Sequence, residues 1–498
     1  MTEKTKQISL IGLIMMLFTT IYGFANTTVA YDQMGYASII WYVISALLFM
    51  IPSSLMFAEY GSAFKDAKGG IYSWLAASIG ERLAFIGTFI WLASWVVWMV
   101  STAAKIWIPF STVFAGYDAT QTWTVLGWSS TQVIGVLGIF LIIGLTWSSV
   151  RGVETITKFA SVGGFFVSLL TVVFLLASLI VWFSNHGQLA EPIHGMKGFL
   201  QSPSTAFQSP IALASFAVYA VFAYAGAESL GGVIDSVKHS GKNFPKGLII
   251  GTIFITVAYS LIIFMWGVSA NWQSVVGAKG VNLGNITYVL MSNLGSTLGH
   301  SLGLSATAAM GLGAAFARFT GLSMFLAYIG SFSVLVYSPL KSFIMGSNPD
   351  FWPKKMTQVN QNGMPVFAMW VQAGVVVILI TLVSFGGAAA AQFYTILTDM
   401  ANVSTSFPYL FLIGAFPFFK RRQDLDYSFH VYNNRFVTDL IVTVVMIVLV
   451  AGIGFSCAEP LIQHDYVTAF WTIIGPVFFG LVAWGFLQYQ QRAKRQSR

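Results

Sequence analysis

Three carboxylates, Glu228, Asp235 and Asp399, sit inside or at the end of stretches otherwise built from apolar residues. An ionisable group in hydrocarbon is costly and is a functional candidate by default. Glu228 follows Phe222-Ala223-Tyr224-Ala225-Gly226-Ala227 and precedes Ser229, Gly231 and Gly232. That placement suits a gating or proton-carrying carboxylate beside a bound solute, the plainer role being a hydrogen-bonded lock between helices. Asp399, in Leu397-Thr398-Asp399-Met400-Ala401-Asn402, divides evenly between the two roles, because Thr395, Thr398 or Asn402 can satisfy it locally. Asp235 is expected at a cytoplasmic helix end, paired with a loop lysine. Lys105 and Arg318 fall towards outer helix ends, where long side chains snorkel.

Glu228 belongs to one of two apolar stretches that are interrupted in the middle, Leu13 to Tyr31 and Ile211 to Val233. The first reads Thr19-Thr20-Ile21-Tyr22-Gly23-Phe24-Ala25-Asn26 at its centre. Glycine weakens helix continuity, and backbone groups freed in hydrocarbon are costly unless they line a cavity or bind something. Two such breaks in matching places of two halves point to a substrate site near the membrane midplane. Freed N–H groups around Gly23 suit a carboxylate, as helix N-termini do. Aromatic faces at Phe222 and Tyr224 suit an ammonium, through cation-π attraction of about 1 to 2 kcal/mol. Together they favour a small zwitterion or amine, held by Thr20, Ile21, Tyr22, Gly23 and Phe24 at the first break and by Phe222, Tyr224 and Gly226 at the second. Trp91, Trp95, Trp98 and Tyr409 add aromatic lining, although most membrane Trp and Tyr serve as anchors or packing.

Other chemistries lack their residues. The histidines, His186, His194, His239, His300, His430 and His464, fall in loops or at helix ends, which leaves no histidine relay across the membrane. No Walker-type loop, zinc spacing or Ser-His-Asp arrangement stands out, and the single Cys457 allows neither an internal disulfide nor a multi-cysteine metal site. The expectation is a protein that is not an enzyme, needs no cofactor or metal, and draws energy from a gradient or an exchanged solute.

The elements that must position these residues are membrane helices. The 498 residues are 56% hydrophobic and 8% charged, against about a quarter charged in soluble proteins. Runs of about 20 apolar residues place twelve spans at 8–30, 38–60, 84–110, 130–149, 159–183, 208–236, 246–269, 313–336, 365–385, 390–417, 436–456 and 467–488. The loop 61–80 and the segment 338–363 read as amphipathic inner loops, and the outer segment 271–300 is expected to carry a short helix. With a cytoplasmic amino terminus, only Lys105, Lys197, Lys279 and Arg318 of the 25 Lys and Arg lie outside. That asymmetry fixes both termini in the cytoplasm and makes the net charge of +8 topological rather than a sign of nucleic-acid binding. The first span has no small-residue cleavage pattern and is expected to stay in the mature protein. The chain reads as one all-α integral membrane unit: repeat one about 8–183, repeat two about 208–417, and two extra helices about 436–488.

The chain resembles the amino acid, polyamine and organocation transporter superfamily, with its nearest likeness in the glutamate/GABA antiporter-like branch. The residues that carry this are Ile21-Tyr22-Gly23, Ala58-Glu59-Tyr60-Gly61-Ser62, Gly69-Gly70-Ile71-Tyr72-Ser73-Trp74, Trp91 to Trp95, Arg151-Gly152-Val153, Phe222 to Ser229, Asn243-Phe244-Pro245-Lys246 and Phe407-Pro408-Tyr409-Leu410. The resemblance implies a LeuT-like fold of five plus five helices in inverted repeat, alternating access, often exchange, and often a homodimer in the bacterial inner membrane. It implies that Ile21, Tyr22 and Gly23 meet the substrate carboxylate and that Phe222 closes over the substrate. Ala225 lines the side-chain end with Ser94 and Trp98, and Glu228 and Tyr409 form part of the cytoplasmic gate. Three departures qualify this. Ile21-Tyr22-Gly23 replaces the usual Gly-Ser-Gly and narrows the site. Val167 and Ser168 stand where some proton-coupled members carry a lysine. The basic tail is too short for the folded plug of glutamate/GABA exchangers, so acid gating is not carried over. The alternatives are proton-coupled uptake of a decarboxylated amine such as a polyamine or ethanolamine, and a receptor or channel that binds amino acids without moving them.

Overall fold

The computed structural model describes residues 8–193, 195–279, 281–387, 403–422, 424–425, 427 and 429–496, with side chains to 489. Asp399 and the first part of the tenth expected span lie outside the described residues. The described chain is helical throughout, with no strand beyond isolated bridges.

The first span is two helices, α1 (Leu10–Ile21) and α2 (Phe24–Met34). Ser9 caps α1 by accepting the Gly12 N–H at 3.1 Å, and the helix stops because Tyr22 and Gly23 take extended backbone angles. There follow α3 (Ala37–Ala63), α4 (Gly70–Ile79), α5 (Glu81–Lys105), α6 (Trp107–Ala115), α7 (Ser130–Ser149) and α8 (Val153–Ser184). The sixth span starts at a Ser209 cap and a Pro210 first turn as α9 (Pro210–Phe222), turns over residues 223–226, and resumes as a 3₁₀ segment, Ala227–Ser236. Then come α10 (Ser240–Ser269), α11 (Ile286–Ser301), α12 (Ala306–Leu335), α13 (Ser338–Ile344), α14 (Val366–Phe385), α15 (Phe407–Lys420), α16 (Arg435–Ile462) and α17 (Tyr466–Gln496). Eleven spans among the described residues are long and apolar enough to cross a bilayer. Large exposed apolar side chains such as Phe140, Phe165, Ile253, Ile447 and Leu481 form the face that lipid covers.

Membrane helices gain little from hydrophobic burial against one another and associate through close packing of small residues. On α8, a side chain at Gly164 would stand 2.7 Å from the Met15 carbonyl of α1, and one at Gly163 would press on the Leu326 carbonyl of α12. These contacts seat α1 against the long pair α8 and α12.

Several boundaries differ from expectation for local reasons. The eighth span begins at Ala306 rather than 313, because Ser305 caps it by accepting the Ala308 N–H and an alanine-rich turn follows. The outer segment holds a 16-residue helix, α11, longer than the short one expected. It packs glycine to glycine on α12 through Gly295 and Gly313. The inner loop 61–80 contains α4, as an amphipathic element should.

The loop after α15 folds over the end of α3. Glu59, fully buried, accepts from Lys420 Nζ at 2.7 Å, Tyr427 Oη at 2.9 Å and the Val431 N–H at 2.8 Å. Lys420 also donates to the Val431 carbonyl at 2.8 Å, so the buried charges satisfy one another.

Candidate functional site

The two breaks meet. Gly226 has φ +129°, and a Cβ there would stand 2.8 Å from the Thr20 carbonyl oxygen and 3.3 Å from the Ile21 side chain. Only glycine combines that backbone angle with so close an approach. Thr20 itself turns its hydroxyl back to the Met16 carbonyl at 3.0 Å.

Glu228, 1% exposed, lies just beyond this contact. Its Oε2 accepts the Gly226 N–H at 3.0 Å and the Tyr409 hydroxyl, and its Oε1 accepts the Trp91 indole N–H at 3.2 Å. Tyr409 Oη in turn accepts the Gly226 N–H at 2.8 Å. One carboxylate therefore ties the second break to α5 and α15.

Sequence reasoning missed the residue at the centre of the first break. The Tyr259 hydroxyl, from α10, accepts the Gly23 N–H at 3.0 Å and Asn26 Nδ2 at 3.2 Å, and faces the carbonyls of Ile21 at 3.2 Å and Ala223 at 3.5 Å. Tyr42 and Tyr219 were also missed. Tyr42 Oη donates to the Asn26 carbonyl at 3.4 Å, and Tyr219 Oη to Asn26 Oδ1 at 3.5 Å. Tyr224 donates to the Tyr42 carbonyl at 3.3 Å. Tyr22 reaches α8, where its hydroxyl is 3.0 Å from Thr171 Oγ1, one turn beyond Val167 and Ser168.

The remaining candidates spread out. Phe24 packs between Phe174 and Trp266, with ring centroids at 5.8 and 5.7 Å. The Phe222 ring end lies over Gly452 of α16. Ser94 donates to its own helix at the Ile90 carbonyl, 2.9 Å away. Trp98 stacks edge-on to Trp95 and contacts Phe332. Ala225 is half-buried in the turn between the halves of the sixth span.

The amino-terminal face of the site is shut. Ile8 and Val237 form an isolated backbone bridge. Lys341 Nζ holds Asp235 at 2.5 Å, the helix-end pair expected from the sequence. The Ser338 hydroxyl donates to the Ser229 carbonyl, and Gly70 and Gly231 lie backbone to backbone. On the opposite face, a cavity of about 610 Å³ is lined by Gln33, Phe207, Ser215, Tyr219, Glu459 and Gln463 among others. Tyr219 links it to Asn26 and the first break.

The profile of the amino acid permease family matches residues 8–486. The chain is similar to the inner membrane transporter YjeM of Salmonella typhimurium, 50% identical over all of this chain and 98% of that protein. It is 23% identical to a glutamate/gamma-aminobutyrate antiporter of Lactococcus lactis, over 83% of this chain and 74% of the antiporter. The fold matches a variant of the Eremococcus coleocola manganese transporter with TM-score 0.55 at 12% identity, covering 99% of this chain and 95% of the other. The LeuT-like fold and the resemblance expected from the sequence both stand, and the chain belongs to the amino acid permease family of multi-pass inner-membrane transporters.

Proposed function

We propose that the chain carries a small amino acid or related amine by alternating access, working as an exchanger. The observation behind this is the contact of Gly226 with Thr20. Two helix breaks press together at a point closed towards the cytoplasm and linked through Tyr219 to an outer cavity. The two five-helix units, about 8–183 and 208–417, would move against each other around that contact, and Glu228 with Tyr409 would form the gate between Gly226 and α15. The antiporter named among its relatives supports exchange. Assembly as a homodimer is part of the same reading.

Counterflow in proteoliposomes tests it. Uptake accelerated by substrate on the far side is the expected result, and no saturable flux with any amino acid or amine would remove the reading. A second reading, proton-coupled amine uptake through Glu228, is favoured by that residue's complete burial. It predicts uptake driven by a pH gradient with no solute on the far side.

A further inference from the structure

The Tyr259 hydroxyl already holds two of the amides that a carboxylate would bind at the first break, those of Gly23 and the Asn26 side chain. Accepting Gly23 N–H and Asn26 Nδ2 fills both of its lone pairs, and its single proton is shared between the carbonyls of Ile21 and Ala223. The glycine amide of the second break is also committed, to Tyr409 and Glu228. The donors of both glycines are thus used within the protein, while acceptors are in surplus, because two carbonyls with two lone pairs each divide one hydroxyl proton.

Ile21 and Phe222 end α1 and α9, and these carbonyl ends favour cations, while the facing amino ends of α2 and of the 227–236 segment have their glycine N–H groups taken by Tyr259, Tyr409 and Glu228. The rings of Tyr22, Tyr42 and Tyr224 stand with centroids 5.4, 5.0 and 5.2 Å from that of Tyr259, an aromatic surround of the kind that attracts an ammonium. Neither interrupted stretch contains Lys or Arg, and Glu228 would repel a second carboxylate at close range. The charged residue lining the outer cavity is again a carboxylate, Glu459, which accepts from Ser215 and, at 3.3 Å, from Gln463.

We propose that the solute is an organic ammonium without a carboxylate, and that Tyr259 sets this selectivity by occupying the Gly23 and Asn26 amide donors at the first break. The inference rests on the transporter reading above and narrows it to one substrate class. In this arrangement the ammonium meets the carbonyls of Ile21 and Ala223, and the tyrosine rings close around its substituents.

The test uses matched pairs that differ only by the carboxylate: serine and ethanolamine, ornithine and putrescine, tyrosine and tyramine. Each compound competes for counterflow by the full-length protein in proteoliposomes. For any pair that is recognised, the amine should compete at a concentration about tenfold or more below the amino acid. Tyr259→Phe keeps the ring and frees both amides, so that ratio should shrink. A wild-type preference for the amino acid overturns the proposal while leaving the transporter reading intact, as does an unchanged ratio in Tyr259→Phe. Absence of flux with every compound and with the common amino acids overturns the transporter reading itself, and the inference falls with it.

Discussion

The main chain of Ile8 is paired with that of Val237: Ile8 N–H donates to the Ser236 carbonyl at 3.0 Å, and Lys238 N–H donates to the Ile8 carbonyl at 2.9 Å. The cytoplasmic ends of both interrupted spans are held together by backbone groups, which most side-chain replacements leave in place. Ile8→Pro deletes one donor. A bond worth about 1 kcal/mol then makes cytoplasmic opening about fivefold more populated. Alkylation of Ser229→Cys from the cytoplasmic side, in a Cys457→Ser background, should quicken by that factor, and Ile8→Val should leave it unchanged. Equal labelling with proline would show that the pairing does not restrain the gate.

Gly226→Ala is expected to be severe. Its backbone angle alone costs an alanine about 1 to 3 kcal/mol, and the methyl group would push on the Thr20 carbonyl. The melting midpoint in detergent should fall and counterflow should drop by about an order of magnitude or more. Normal transport by this variant would mean that the two breaks need not touch.

Glu228→Gln replaces one acceptor oxygen by a donor. In either amide orientation one buried donor is orphaned: the Trp91 indole N–H, or the Tyr409 hydroxyl, the Gly226 amide keeping Tyr409 Oη as its acceptor. The cost is about 1 to 3 kcal/mol. If Glu228 carries or gates protons, the dependence of counterflow rate on pH flattens in this variant and survives in Glu228→Asp. A profile identical to wild type in Glu228→Gln confines the residue to a structural tie.

Lys420→Met strands the Glu59 carboxylate in the interior. Breaking one side of a buried ion pair costs about 3 to 5 kcal/mol, so the variant should melt well below wild type. Adding Glu59→Gln should restore much of the loss, since the lone charge is then gone. Protease cleavage between residues 421 and 434 should follow the same order. No change in melting would show that the remaining partners, Tyr427, Val431 and His430 at 3.7 Å, suffice.

The positions of the breaks were legible because glycine in an apolar run is a local signal: Gly23 and Gly226 both mark them. Glu228 and Asp235 were legible as rare charges, and Asp235 meets a lysine as the sequence suggests. The pieces that carried the family likeness prove to be neighbours. Phe244 covers Gly61, Tyr60 stacks on Trp74, and Trp74 lies against Gly231, so together they cradle the cytoplasmic half of the sixth span. The tyrosine cluster was not legible. Tyr42, Tyr219 and Tyr259 lie in three different spans, and nothing local separates them from interfacial anchors. Phe24 adjoins Gly23 in sequence, but its packing against Phe174 and Trp266 was not legible, since it depends on how far one residue rotates around a helix. The winding of residues 227–236 has no sequence signature either. It accompanies contacts of Gly231 with Trp74 and of Gly232 with Ser338.

That winding makes the segment a reserve of length. Ala227–Ser236 is ten residues; at about 2.0 Å per residue it reaches about 20 Å, whereas α-helical winding would bring it to about 15 Å. Recoiling alone would retract its inner tip by some 5 Å, farther than the Asp235 to Lys341 contact can stretch. A change in how one short rope is wound would add a stroke of that size to any movement of the two units.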